Sequence, residues 1–128
     1  MARMLIIDDE MDIGEFLCEV GIRMGFDAVA INDPDEFWTS YESLDPAVIV
    51  LDLKMPKIDG IEFLHTLAVR TCRAQIIVIS GEDQRILRSA LRIGTDLGLN
   101  MLGALAKPIR VQAIRELLEG NQSRSIGG

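Results

Sequence analysis

Residues able to handle a phosphoryl group recur along this 128-residue chain, each directly after a short apolar run. Met4-Leu5-Ile6-Ile7 leads into Asp8-Asp9, Ala47-Val48-Ile49-Val50-Leu51 into Asp52, Gln75-Ile76-Ile77-Val78-Ile79 into Ser80, and Leu102-Gly103-Ala104-Leu105-Ala106 into Lys107. Gathered in one place, the three carboxylates would repel: two of them about 5 Å apart cost roughly 3 kcal/mol at an effective dielectric of about 20. A cation has to compensate. An oxygen-only set of one or two carboxylates with backbone carbonyl, water and phosphate oxygens suits the hard ion Mg2+. Lys107 adds a compact ammonium on a flexible stem, able to reach a phosphoryl oxygen, and Ser80 can donate a hydrogen bond to another. Asp52 stands alone after its run, so its carboxylate is the candidate nucleophile toward phosphorus, with an aspartyl phosphate as the product. Neutralising charge on the transferring group is the main work in such a reaction.

Chemistry of this kind requires elements that bring four distant positions together. Apolar runs of about five residues alternate with longer stretches of helical period, the pattern of repeated strand-helix units. The runs are nearly continuous Val, Ile and Leu rather than alternating, so the strands are expected to be buried on both faces, parallel, and joined by right-handed helical crossovers. The fold class is α/β, a three-layer αβα sandwich, and in an open parallel sheet ligands bind outside the carboxyl ends of the strands.

Five helices are expected. The first covers residues 10 to 24, with Ile13, Phe16, Leu17, Val20 and Met24 on one stripe and Gly25 as its stop. Asp33-Pro34-Asp35-Glu36 starts a short second helix that ends near Ser43, with Asp33 as cap. Leu53 to Gly60 reads as a loop before a third helix patterned by Ile61, Leu64, Leu67 and Ala68. The fourth, over about 83 to 99, turns Ile86, Leu87, Ala90, Ile93 and Leu97 toward the sheet, and the last uses Val111, Ile114, Leu117 and Leu118 and stops at Gly120. The domain therefore spans residues 1–120, and 121–128 read as a flexible tail or linker remnant.

Composition narrows the function classes. With 48% hydrophobic and 26% charged residues the chain is an ordinary globule of one domain. A formal charge of -7 opposes binding to nucleic-acid phosphates and anionic lipid, so neither direct nucleic-acid binding nor membrane association is expected. The apolar stretch after Met1-Ala2-Arg3 is four residues long, too short for a signal-peptide core, which points to the cytoplasm. Cys18 and Cys72 form no metal spacing and read as reduced packing residues. His65, on the polar side of the third helix and without a second histidine, suits neither a triad nor a zinc site, and Trp38 and Tyr41 read as packing residues.

Asp8-Asp9, Asp52 with Met55-Pro56 and Asp59-Gly60, Ser80, and Lys107-Pro108 stand in the order and approximate spacing of the response-regulator receiver domains of two-component signalling, and the chain resembles that family over residues 3 to 119. The resemblance implies a five-stranded parallel sheet in the order 2-1-3-4-5. It also implies a phosphoacceptor: Asp52 phosphorylated by a sensor histidine kinase or phosphotransfer protein in a Mg2+-dependent reaction, with a surface change read by a downstream protein or a fused output domain. In that picture Asp9 is a direct metal ligand, Asp8 a ligand directly or through water, and Lys54 the residue offering a backbone carbonyl. Ser80 is the hydroxyl switch and Lys107 the invariant lysine, with a cis Lys107-Pro108 bond. The protein would then be a signalling module rather than a turnover enzyme, limited to self-catalysed phosphoryl transfer and autodephosphorylation.

Two departures stand out. The aromatic that the family places three residues before the lysine is Ala104 here, and Thr95 to Gly103 is longer than the common turn, which predicts an extended fourth helix as the moving part. Glu10 either extends the acidic group or faces solvent, and Lys54 and Glu82 flank the pocket mouth, where they can pair or stay solvated. Each site residue also has a plain structural reading: Asp8 or Asp9 as a helix cap, Asp52 as a turn residue, Ser80 as the start of a capping box for the fourth helix, Lys107 snorkelling at a strand end. A haloacid-dehalogenase-type phosphohydrolase would need an Asp where Lys54 stands, and a flavin binder would meet repulsion from Asp8-Asp9-Glu10. A degenerate receiver serving as a constitutive protein-interaction module is the remaining alternative.

Overall fold

The computed structural model describes residues 2–81 and 83–127, and side chains for 2–81 and 83–120. Five strands, β1 (Arg3–Ile7), β2 (Asp27–Ile31), β3 (Val48–Asp52), β6 (Gln75–Ser80) and β7 (Asn100–Ala106), form one sheet in the order β2-β1-β3-β6-β7, every pair parallel. Counted along the chain this is the expected 2-1-3-4-5 arrangement. Two short strands, β4 (Lys54–Met55) and β5 (Ile58–Asp59), pair antiparallel outside it.

The strand period of two divides the apolar runs between two cores. Leu5, Ile7, Ile49, Leu51, Ile76 and Val78 face a cluster that includes Phe37 of α2 (Phe37–Leu44), Leu64 and Leu67 of α3 (Gly60–Val69), and Leu87 and Ala90 of α4 (Gln84–Asp96). Their neighbours Met4, Ile6, Val48, Val50, Ile77 and Ile79 face Leu17 and Val20 of α1 (Met11–Arg23) and Ile114 and Leu118 of α5 (Val111–Gly127). Met4 to Ile7, Val48 to Leu51 and Ile76 to Ile79 are all 0% exposed, so both faces are covered, and each such side chain contributes roughly 1.5–3 kcal/mol of burial.

Local chemistry sets the element ends. Asp33, Asp59 and Asp83 cap by accepting from the backbone N–H two residues on, those of Asp35, Ile61 and Arg85. The turn opened by Asp33 is a single 3-10 turn, Pro34–Glu36, and α2 follows it directly. The expected capping box from Ser80 is displaced by Asp83, because β6 runs through Ser80 and holds it in the sheet. Gly25 and Gly98, at φ 94 and 84, take the left-handed conformation that closes α1 and α4.

That closure corrects the expected long fourth helix. Leu99 N–H donates to the Gly94 carbonyl and Gly98 N–H to that of Thr95, which ends α4 at Asp96. The added residues go into β7, which is seven residues long and bulges between the Ile76–Met101 and Ile77–Gly103 pairs. Two smaller corrections follow from helix phase. Ile86 and Val111 stay 39% and 47% exposed, while Gly94 takes the sheet-facing place beside Leu87 and Ala90. The expected loop from Leu53 to Gly60 contains the β4–β5 hairpin, turned at Lys57 with φ 73. Gly60 is required there, since a Cβ would sit 2.7 Å from the Leu53 backbone. The α5 backbone continues past Gly120 to Gly127, and the side chains of 121–128, where a tail was expected, lie outside the described residues.

Candidate functional site

Strand register alone brings the acidic residues level. Ile7 pairs with Leu51, so Asp8 and Asp52 are each the next residue at the carboxyl end of adjacent strands. Both continue the parity of the residues that face α1 and α5. Asp52 pairs with Ile79, one residue before Ser80, and Ser80 pairs with Ala106, one residue before Lys107. The Lys107 N–H donates to the Ser80 carbonyl at 2.9 Å, fixing the start of the turn that carries the amine, and the Lys107-Pro108 bond is cis as expected.

Lys107 Nζ lies 2.8 Å from Glu10 Oε1, 3.0 Å from Asp8 Oδ2 and 3.2 Å from Asp52 Oδ2. The contacts to Glu10 and Asp52 are hydrogen bonds. The other oxygens are held by backbone: Asp8 Oδ1 accepts from Glu10 N–H at 2.8 Å, and Asp52 Oδ1 from Lys54 N–H at 3.1 Å. Asp8, Asp52 and Ser80 are buried, at 1%, 2% and 0% exposure, whereas Asp9 and Glu10 are exposed at the mouth.

Burial pushes the Asp52 carboxyl up to about 6, against the Lys54 N–H that favours its ionised form; the nearby Asp8 pushes the same way and the Lys107 ammonium opposes both. For Lys107, burial by itself would pull the ammonium down. Its contacts with Glu10 and Asp8 and the charge of Asp52 outweigh that and hold it above the ordinary lysine range.

The donor set fits a hard divalent cation. Asp8, Asp9, Glu10 and Asp52 each offer an oxygen within 4.8 Å of the others, and these are all oxygen donors. Asp8 Oδ2 adds an independent sign. It is fully buried and meets the Lys107 ammonium at 3.0 Å as an ion pair rather than a well-aligned hydrogen bond, which leaves lone pairs for a divalent ion.

The expected site residues are thus not equivalent in place. Asp8, Asp52 and Lys107 are in contact, Asp9 stands beside them, and Ser80 lies on the next strand with the parity of Ile76 and Val78, toward α4. Lys54 is exposed, and its known link to the site is the backbone N–H on Asp52. Glu82, expected either to pair with Lys54 or to stay solvated, lies outside the described residues. Glu10 was left open by the sequence and turns out to make the shortest contact with Lys107. Its signal lay in the spacing: Asp8 can accept from the N–H two residues on, which folds Glu10 back over the strand end. His65 is exposed on α3, and Cys18 and Cys72 are free thiols.

Comparison with known proteins agrees with this geometry. Residues 4–119 match the family of the response regulator receiver domain. The alkaline phosphatase synthesis transcriptional regulatory protein PhoP of Bacillus subtilis is 30% identical over 95 residues, which is 73% of this chain but 40% of that protein. The chemotaxis protein CheY of Listeria monocytogenes is 26% identical over 121 residues, 93% of this chain and 97% of that one. Among solved structures, a response regulator from Colwellia psychrerythraea superposes with a TM-score of 0.78 at 29% identity, covering 95% of this chain and 98% of that one. The chain therefore spans less than half of some curated relatives and nearly all of others. Among the described residues no helix is long and apolar enough to cross a membrane.

Proposed function

This chain belongs to the response regulator receiver domain family, and from that premise we propose that it accepts a phosphoryl group on Asp52 from a phosphohistidine donor and signals through the resulting surface change. The observation that carries this reading is the environment of Asp52. Its buried carboxylate is fixed at Oδ1 by the Lys54 N–H, faces the Lys107 ammonium at Oδ2, and adjoins an acidic group able to hold a cation.

Asp52 attacks phosphorus through a carboxylate oxygen; a P–O bond forms as the P–N bond to the donor imidazole breaks, and the imidazole takes up a proton. Lys107 supplies positive charge to the transferring group from 3.2 Å away. Asp8, Asp9 and Asp52, with the backbone carbonyl of Lys54, would hold Mg2+, which when bound neutralises phosphoryl oxygens. Ser80 donates from the neighbouring strand to a phosphoryl oxygen. The acyl phosphate carries about 1.5 to 2 negative charges where the carboxylate carried one, and it draws Ser80 and Lys107 inward. Because the Lys107 N–H is bonded to the Ser80 carbonyl, the two move as one junction, and α4 begins four residues after Ser80. The face of α4, β7 and α5 is then the output surface, read by a downstream protein or by an output domain in a longer chain.

Intact-mass spectrometry after treatment with acetyl phosphate and Mg2+ tests the reading. The wild type should gain the mass of one phosphoryl group and Asp52→Asn none. No adduct on the wild type would overturn the proposal in favour of a constitutive interaction module.

A further inference from the structure

Gly60 is the first residue of α3, and its φ is not positive, so the backbone there does not call for glycine. Alanine is the better helix former at such a position. What excludes a side chain is the residue that follows the acceptor: a Cβ on Gly60 would lie 2.7 Å from Leu53 Cα, 2.7 Å from the Leu53 carbonyl oxygen and 2.9 Å from Leu53 Cδ2. Two of these three atoms are backbone, which no rotamer change moves aside. The Leu53 carbonyl belongs to the same planar peptide as the Lys54 N–H, and in a trans peptide the two point in opposite directions. The Lys54 N–H donates to Asp52 Oδ1 at 3.1 Å, so one rigid unit meets Gly60 on its oxygen side and holds the acceptor carboxylate on its nitrogen side. The chain on both sides of that unit is fixed. Leu53 N–H donates to the Ile79 carbonyl of β6 at 2.9 Å, and the β4–β5 hairpin pairs Lys54 with Asp59, which caps α3 through the Ile61 N–H and returns the chain to Leu53.

We infer that Gly60 is a positioning residue for the phosphoryl acceptor: packed directly on the Leu53 carbonyl, it sets the plane of the Leu53–Lys54 peptide, and that plane aims the Lys54 N–H at Asp52 Oδ1. The inference rests on the phosphoacceptor reading and deepens it. Holding Oδ1 orients the whole carboxylate, and Oδ2 then faces Lys107 Nζ at 3.2 Å. A methyl group at position 60 has to open the contact from 2.7 Å toward the 3.4 Å of ordinary van der Waals packing. Phe63, Leu64 and Leu67 hold α3 against the sheet, so the peptide rather than the helix yields. Its tilt takes the Lys54 N–H off Oδ1, since hydrogen bonds weaken steeply with misalignment, and Asp52 turns in its pocket.

The test follows acetyl phosphate labelling in Mg2+ by intact mass against time for wild-type, Gly60→Ala and Gly21→Ala proteins, together with the chemical shift and hydrogen exchange of the Lys54 amide. Gly21 is the control. It too is a helical glycine, a Cβ on it would lie 2.6 Å from Met4 Cε, and Met4 is at the end of β1 away from the acidic group. Gly60→Ala should label about tenfold more slowly, within the range that a misplacement of up to about 1 Å can cost, while Gly21→Ala labels at the wild-type rate. In the wild type the Lys54 amide should exchange at least about tenfold more slowly than in the unfolded chain, and in Gly60→Ala it should lose that protection and shift upfield. Wild-type labelling in Gly60→Ala would overturn the inference. Slowing of equal size in Gly21→Ala would do the same, because packing alone would then account for the effect. An unprotected Lys54 amide in the wild type would overturn it even if Gly60→Ala failed to fold. Should the wild type take no label, the phosphoacceptor reading falls, and the Lys54 amide of Gly60→Ala still decides whether Gly60 sets that peptide.

Discussion

The acidic rim and the aromatic seam between α2 and α3 both flank the same central strands, and they are stabilised in opposite ways. In the seam, Phe37 is fully buried and meets Phe63 edge-on at 4.6 Å, and Trp38 stacks on Phe63 at 5.1 Å. Arg70 lies 4.1 Å above the Trp38 ring and pairs with Glu42 at 3.2 Å. Aromatic pairs in these geometries add about 0.5–1.5 kcal/mol each beyond their buried area. The rim instead holds two buried carboxylates that share one ammonium, and an Asp52 whose ionisation burial opposes. One region is held by apolar and aromatic contacts, and the other keeps charge where burial favours a neutral group, a pattern expected where function needs a destabilised site.

Substitutions should break this contrast in a definite order. Phe37→Ala is expected to cost most, about 3–5 kcal/mol in a urea melt, while its acetyl phosphate labelling at low temperature stays that of the wild type. A loss much below that range would mean the seam is loosely packed. Lys107→Met removes the cation that pairs, among the described residues, with Asp8, Glu10 and Asp52, and should destabilise by about 3 kcal/mol in metal-free buffer. Added Mg2+ should recover much of that loss, because the ion restores positive charge to the same oxygens. Lys107→Met melts that ignore Mg2+ would count against the acidic group as a cation seat.

Asp52→Asn should act in the opposite direction. A carboxyl raised to about 6 in the folded protein holds a proton that the unfolded chain has already lost between about pH 4 and pH 6, so stability falls as pH rises through that window. The penalty is complete above pH 6 and absent below about pH 4. Asn at this position should therefore stabilise the metal-free protein by about 1–3 kcal/mol at pH 7 and by nothing near pH 3.5. Urea melts at several pH values check both the size and the window. Equal stability of the two proteins at pH 7 would mean that burial is not what raises Asp52.

Legibility in the sequence followed how local each determinant is. The sheet-forming runs were readable because Val, Ile and Leu without alternation require burial on both faces, and the caps at Asp33 and the stop at Gly25 because they act over two or three residues. The length of α4 was not. The residues between Gly94 and Lys107 can extend a helix or a strand, and the choice went to the strand once Gly98 took a left-handed conformation and β7 found its bulged register on β6. The exposure of Ile86 and Val111 likewise depends on helix phase relative to a sheet that composition does not orient. Phe63 was overlooked beside Leu64, although its ring joins Phe37 and Trp38 in the seam.

The chain by itself determined which residues carry charge, hydroxyl and amine, and that each follows a strand, since side-chain chemistry and strand propensity are properties of short segments. Only the tertiary structure decided which of them touch. Strand register set Asp8 level with Asp52, and the turn after β7 aimed Lys107 back at both. The fold of the chain after Asp8 placed Glu10 at 2.8 Å from the amine, a contact spanning 97 residues that no local rule encodes. Distances of that kind are fixed by packing a sheet against its helices, and the energies of this site, which vary steeply with distance and burial, are fixed along with them.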